Sequence, residues 1–432
     1  MNRWTLALAL LLGWSGLQAA EIQTFTLDNG LHVYLVKNRI VPLVTIVTSF
    51  HAGGTYEDSI TNGLFHLYEH MLFKGNAKYP DQLAFKKRLR ELGIVYNGST
   101  STEQVEYHYT LPSRLLREGL DFMAAAMISP RFDEEELHRE IQVVMDEFRR
   151  DFSQPTYQLY QETRRAFYGP WFYRKNVIGD SAQIKHATRD LMLQIQRNHY
   201  NPNNCNLIVA GDLDFATARR YIEEAFGGWE NQAPPPQVDP VPHVQESRTV
   251  ELRLPAEHAY VYVLYAGPNV GQQTEDTYVA DLLGTLLNAP GSRFQTVFVD
   301  SGLATSASFG YYTQRYGGEL SFYFVTEPEK VPRLRRRLAR FVQEMAQPEF
   351  YTEEALENAK RAVEIDYLKD QEVPSRYAVG LAFWITVAGY DYYQTYVEQI
   401  RQVPLDAFPT FVRRYLVDQP HATGILYPTE EK

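Results

Sequence analysis

A chain of 432 residues is too long for one ordinary hydrophobic core and is predicted to divide into two units of about 200 residues each. Its 44% hydrophobic and 13% aromatic content describes a well-buried globular protein and excludes a disordered one. The formal charge is -11 and no Lys/Arg run is interleaved with aromatics, which excludes a nucleic-acid-binding face. The one basic cluster, Arg333 to Arg340, lies opposite Leu334, Leu338, Phe341 and Val342 at helical spacing and reads as a solvated helix face.

Residues 1–20 read as a signal peptide: Arg3 gives the positive start, Leu6 to Leu12 the apolar core, and Leu17-Gln-Ala-Ala20 the small-residue exit, with cleavage after Ala19 or Ala20. The apolar run is too short to span a bilayer and no later stretch does so, which predicts export to the periplasm without stable membrane insertion. The lone Cys205 allows no intrachain disulfide and, before the apolar run Asn206 to Ala210, reads as a buried, inert thiol.

Phe25 to Val36 alternates around Asn29-Gly30 as a hairpin, and Leu43 to His51 continues as a strand ending near Gly53-Gly54. The segment Gly63-Leu-Phe-His-Leu-Tyr-Glu-His-Met-Leu-Phe-Lys-Gly75 is predicted to be a helix, with an apolar stripe of Leu64, Tyr68, Met71 and Leu72 and Gly75 as its C-terminal cap. His66 and His70, four residues apart, fall on one face, close enough for both imidazoles to reach a single metal ion. Glu69 adjoins them, placed to take a proton from a water instead of binding the ion, and His-x-x-Glu-His is the inverzincin order. The alternative is a pair of core histidines satisfied by backbone carbonyls, but burying two histidines and a glutamate without a ligand leaves polar groups to be paired.

A helix over Phe85 to Leu92 and a strand over Tyr107 to Leu111 follow, with the polar Asn97 to Thr102 between them. The next helix starts at Asp133 in a capping-box pattern with Glu136 and runs to about Arg150. It contains Glu140 and Glu147, seven apart and therefore within about 20° of one azimuth. Either Glu147 is the third ligand with Glu140 behind it, or both belong to an ordinary acidic surface, which Glu134, Glu135, Glu136 and Asp146 also furnish. Helical spacing over Arg189 to Tyr200, a break at Asn201-Pro202 and a strand over Cys205 to Gly211 close the first half.

Gln232 to His243 carries five prolines in twelve residues and reads as an extended linker. Strands over Val250 to Leu254 and Tyr260 to Tyr265, a helix over Thr277 to Leu287, strands over Ala307 to Tyr312 and Leu320 to Val325, and further helices repeat the order of the first half. Phe408 to Tyr427 also rhymes with Ile195 to Ala210. The expected organisation is a signal peptide at 1–20, a metal-binding unit at 21–230, a linker at 231–245 and a second copy at 246–432 without the metal motif.

The segment Gly63 to Gly75 closely resembles the signature helix of the pitrilysin and insulinase family of zinc peptidases, which includes the mitochondrial processing peptidases. The resemblance extends through Asp28-Asn29-Gly30-Leu31, Asn97 to Thr102, Tyr200-Asn-Pro-Asn203 and Ala210-Gly-Asp212, and weakly through the second half. It implies an α+β fold of two similar units, each a mostly antiparallel sheet flanked by helices, and a zinc endopeptidase with one zinc per chain acting on short or unfolded peptides. In that family the third ligand is a glutamate on a later helix with another glutamate one heptad before it. Glu147, 77 residues after His70, matches the ligand and Glu140 the earlier position. The resemblance thus implies His66, His70 and Glu147 as ligands, Glu69 as catalytic base and Glu140 as its companion in the site. Asn97, Gly98, Ser99 and Thr100 resemble the edge strand to which an extended peptide substrate adds.

Active relatives usually carry an Arg and a Tyr, seven residues apart, in the second copy. Here Phe298 and Thr305 stand in those places, in Val297-Phe-Val-Asp-Ser-Gly-Leu-Ala-Thr305. This departure predicts a heterodimer in which a homologous partner supplies the Arg/Tyr pair, unless Tyr311, Tyr312, Arg315 or Tyr316 substitutes within the chain. The alternative function is a non-catalytic scaffold or chaperone subunit of the same fold.

Overall fold

Two mixed sheets, each flanked by helices, organise the chain; the computed structural model describes residues 21–243 and 245–429. The expected signal peptide falls on residues 1–20, outside the described residues.

The first part runs β1 (Glu21–Thr26), β2 (His32–Lys37), β3 (Leu43–Phe50), α1 (Leu64–Leu72), α2 (Gln82–Leu92), β4 (Val95–Thr100) and β5 (Val105–Pro112). Helices α3 (Leu116–Ile128), α4 (Glu134–Phe152), α5 (Pro155–Tyr168), α6 (Ser181–Lys185) and α7 (Arg189–His199) lead to β6 (Cys205–Gly211) and α8 (Phe215–Phe226). The second part runs β7 (Arg248–Pro255), β8 (Ala259–Gly267), α9 (Thr274–Asn288), the one-turn α10 (Arg293–Gln295), β9 (Ser306–Tyr312) and β10 (Gly318–Thr326). It ends with α11 (Val331–Met345), α12 (Glu353–Asp370), α13 (Pro374–Val387), α14 (Tyr390–Gln402), α15 (Ala407–Tyr415) and β11 (His421–Thr429).

The strand orders are β1-β2-β6-β3-β5-β4 and β7-β11-β8-β10-β9. Without β1 they coincide strand for strand: β2/β6 and β7/β11 are the parallel pairs and the remaining neighbours are antiparallel. The fold is therefore α+β, two similar units in tandem. β3 and β6 are buried on both faces, which their near-continuous runs of β-branched and apolar residues fit.

The second face of each sheet is covered by a helix from the other half. α13 packs on β3 and β6, and α5 packs on β7, β8 and β11. Both helices begin at a proline, Pro155 and Pro374, a residue suited to a first helical turn because its missing N–H has no partner to lose there. Buried polar contacts join the halves: Arg164 pairs with Glu319 at 2.6 Å, and Ser49 Oγ lies 2.7 Å from Thr386 Oγ1.

Two local expectations need correction. α1 ends at Leu72 with Phe73 as its cap, so Gly75 is not the cap; it lies in a turn at φ 133°, where a Cβ would stand 2.9 Å from the Tyr79 carbonyl oxygen. Asp133 caps α4 by accepting from the Glu135 and Glu136 N–H groups, but the Glu136 side chain pairs forward with Arg139 at 2.7 Å instead of closing a capping box.

Candidate metal centre

α1 is amphipathic in the way a site needs. Leu64, Phe65, Leu67, Tyr68, Met71 and Leu72 are buried, while His66, Glu69 and His70 are partly accessible. The helix packs against α4 and β4. α4 presents Leu137, Glu140, Ile141, Val144 and Met145 as its buried stripe, so Glu140 sits within the apolar row and Glu147 at its margin.

Three side-chain atoms from these helices converge. His66 Nε2 and His70 Nε2 are 3.3 Å apart, and Glu147 Oε2 lies 3.7 Å from the first and 3.6 Å from the second. His70 Nδ1 is 2.9 Å from Glu140 Oε1. If His70 donates that proton to the carboxylate, its Nε2 carries a lone pair, and two imidazoles and a carboxylate face one another as acceptors. Such a donor set repels itself unless a cation lies between. Three points at these separations lie on a circle of radius about 2 Å, the length of a zinc bond to imidazole or carboxylate. The residues fit a zinc ion with a fourth position left open.

The surroundings tune each group. Burial raises the Glu140 carboxyl, but hydrogen bonds from His70 and from Lys74, whose Nζ lies 2.5 Å from Oε2, outweigh it and hold Glu140 below its usual range. Burial lowers His70, but Glu140, Glu147 and Glu69 together hold it above its usual value. His66 is pushed down to about 4 by burial and by His70.

Glu69 stays out of the cluster. Burial raises its carboxyl, opposed by the Thr100 hydroxyl, which donates to Oε2 at 2.7 Å. β4, the outermost strand of its sheet, lies directly against it: a Cβ on Gly98 would meet Glu69 Cγ at 3.0 Å and Oε1 at 3.3 Å. The base candidate and the free edge at Asn97, Gly98, Ser99 and Thr100 are therefore adjacent. Sequence reasoning did not single out Lys74, although its position four residues after His70 signals the same helical side.

The second half supplies no Arg/Tyr pair at the expected positions. Phe298 is fully buried among Phe294, Phe324 and Phe341, and the Thr305 hydroxyl donates to the Val325 carbonyl at 3.2 Å. Among the in-chain substitutes, Tyr311 donates to the Pro268 carbonyl at 3.0 Å and Arg315 Nε to the Val387 carbonyl at 3.0 Å. Tyr312 is exposed, and Tyr316 packs edge-on against Tyr56.

Both halves of the chain are similar to known proteins. The family described as Insulinase (Peptidase family M16) matches residues 32–168, and the Peptidase M16 inactive domain matches residues 186–363. The zinc protease YmxG of Bacillus subtilis is 25% identical over 342 residues, 78% of this chain and 82% of that protein. A probable mitochondrial-processing peptidase subunit beta of Arabidopsis thaliana is 24% identical over 210 residues, 49% of this chain and 39% of its own length. Among solved structures, a protease from Helicobacter pylori superposes with a TM-score of 0.85 at 21% identity, covering 95% of this chain and all of that one. The first half of the periplasmic protease PqqL from Escherichia coli superposes at 0.75 with 18% identity, covering 94% and 92%. With a zinc-spaced donor set on two packed helices and family matches across both halves, the chain belongs to the pitrilysin and insulinase family of zinc peptidases.

Proposed function

We propose that this chain is an exported zinc endopeptidase that hydrolyses short or unfolded peptides as the catalytic subunit of a heterodimer. The observation that carries the reading is the convergence of His66 Nε2, His70 Nε2 and Glu147 Oε2 at zinc-ligand separations. One zinc bound there would polarise the scissile carbonyl and acidify water. Glu140 fixes the orientation of His70 and is itself held by Lys74. Glu69 is the general base, kept in place by Thr100. An extended peptide adds to the open edge of β4 through main-chain hydrogen bonds at Asn97 to Thr100, which brings its backbone beside Glu69.

Stabilising the oxyanion needs donors as well, and loss of one such donor typically costs about 10²- to 10³-fold in rate. A buried Phe298 and a Thr305 bonded to its own sheet do not provide them, which favours a homologous partner that brings an Arg and a Tyr. The signal-like residues 1–20 and the similarity to a periplasmic protease support a periplasmic location. The test is to purify the mature chain and assay cleavage of an unfolded peptide with and without the candidate partner. Activity that requires both is expected; full turnover by the lone chain contradicts the heterodimer.

A second reading, a non-catalytic scaffold or chaperone subunit, draws on the same missing pair and on the match of residues 186–363 to the inactive domain. It is separated by metal content, because a scaffold has no need for stoichiometric zinc.

A further inference from the structure

A crevice between the two halves holds a second constellation, none of it drawn from the metal centre. Its volume is about 400 Å³, and it is bounded by β2, the chain after β3, the start of β6, residues 235–237, Arg315-Tyr316 and the junction of α13 and α14.

Arg315 enters it from the second half. Its Nε donates to the Val387 carbonyl at 3.0 Å, and among the described residues no carboxylate lies within 4.0 Å of its guanidinium. Glu103 takes the backbone N–H groups of Arg315 and Tyr316 at 2.6 and 2.9 Å and faces the buried Lys175 Nζ at 3.9 Å; its charge is felt by Arg315 and Tyr56, but its carboxylate does not line the crevice. His51 lies deep in the wall with no hydrogen-bond partner for its ring among the described residues. Burial, then Arg315 and His32, push it down to about 4. His32 stands at the exposed rim with Nδ1 3.1 Å from Thr26 Oγ1.

Arg315 is thus the cation of this space, the neutral His51 ring beside it can donate one N–H, and no acid lines it. Asp391, next to the Tyr390 wall, is exposed and close enough to hold Tyr34 and Tyr390 up, but it does not line the space. Tyrosine rings supply the apolar surface: Tyr34 and Tyr390 pack with centroids 5.3 Å apart, and Tyr56 meets Tyr316 at 6.0 Å. A half-buried guanidinium with no carboxylate against it offers charge-assisted hydrogen bonds to an anion, and the neutral His51 ring adds one N–H donor beside it. The tyrosine rings beside the guanidinium offer an apolar surface that suits an anion with an organic body. A planar guanidinium matches a carboxylate through two parallel hydrogen bonds.

We propose that this crevice binds a small organic carboxylate, with the carboxylate held between the Arg315 guanidinium and the His51 imidazole and the apolar body against the tyrosine rings. The space suits a molecule between an amino-acid derivative and a dipeptide in size.

The test uses N-acetylphenylalanine, its neutral amide N-acetylphenylalaninamide, and inorganic phosphate, titrated calorimetrically into the full mature chain. Because a carboxylate also binds zinc, the Glu147→Gln variant is titrated in parallel. The acid is expected to bind at least about tenfold more tightly than the amide or phosphate, to keep that affinity in Glu147→Gln, and to lose about tenfold or more in Arg315→Gln. His51→Gln is expected to weaken the acid severalfold, and it serves as the second variant should Arg315→Gln fail to fold by circular dichroism. Equal affinity for acid and amide, tighter binding of phosphate, no heat from the acid at millimolar concentration, or a loss confined to Glu147→Gln would each overturn the proposal.

Discussion

His70 and Glu140 face each other across α1 and α4, with Nδ1 2.9 Å from Oε1, and a hydrogen bond donated from Nδ1 to that carboxylate leaves the ring's lone pair on Nε2. With the proton held on Nδ1, Nε2 is free toward His66 and Glu147. The contact links a buried carboxylate in the apolar row of α4 to the His70 tautomer that the proposed metal site requires.

Glu140→Gln should therefore leave the fold intact and lower zinc affinity by about 10- to 100-fold, the usual cost of losing such a supporting partner. Competition with a chelator of known affinity, compared between wild type and variant, measures it. Unchanged affinity would mean that the His70 orientation is set by helix packing alone.

Glu69→Gln should retain zinc and lose hydrolysis by about 10²- to 10⁴-fold, since an amide cannot accept the proton of the attacking water. Metal analysis and peptide turnover on the same sample check both halves of the statement. Loss of zinc in this variant would make Glu69 a ligand and not the base.

Restoring the family's usual arginine by Phe298→Arg should fail. Phe298 is fully buried in the aromatic core of the second half, and Arg337 already lies 6.0 Å from its ring, so the new charge would be both desolvated and repelled. A destabilisation above about 4 kcal/mol is expected, with no gain in activity. Denaturant unfolding together with a peptidase assay tests this, and a stable, more active variant would contradict the buried placement.

Asp281 on α9 gives a pH test away from the site. Burial pushes its carboxyl up to about 7, opposed only by the hydroxyl of Tyr396, which donates to Oδ2 at 2.9 Å. The folded state then holds a proton that the unfolded chain releases near pH 4, so this group costs stability as pH rises from about 4 to about 7. Asp281→Asn, which keeps an acceptor for Tyr396, should stabilise the protein by a few kcal/mol at pH 8 and by little at pH 4. Thermal unfolding of both proteins across that range reads the difference, and a pH-independent difference would refute the assignment.

Much of the site was legible because its spacing is local. His66, Glu69 and His70 share one helix, and Glu140 and Glu147 share another, so periodicity alone puts each set on one side. What periodicity does not give is which two helices meet: in the sequence only the family resemblance pairs Glu147 with the histidines, and the packing of α1 on α4 is what brings them together. Strand β4 was harder, because Asn97 to Thr100 is polar and glycine-containing; it is held as a strand by pairing with β5 and not by its own propensity. Helices α3, α5, α6 and α8 are not among those expected from the sequence. α5 buries the polar Gln161, Thr163 and Arg164 along with Leu159, Phe167 and Tyr168, packed on a sheet from the other half of the chain, a long-range contact that no local window reports. Gly75 looked like a helix cap because it follows α1, whereas its role is the close approach of backbone around Tyr79.

The most direct measurement is the zinc content of the purified mature chain beside that of Glu147→Gln, by elemental analysis after dialysis against a weak chelator. The convergence of His66, His70 and Glu147 predicts one zinc per chain in the wild type and a strong loss in the variant. Equal zinc in both, or none in the wild type under conditions that keep it folded, would contradict the assignment of these three side chains as the metal centre.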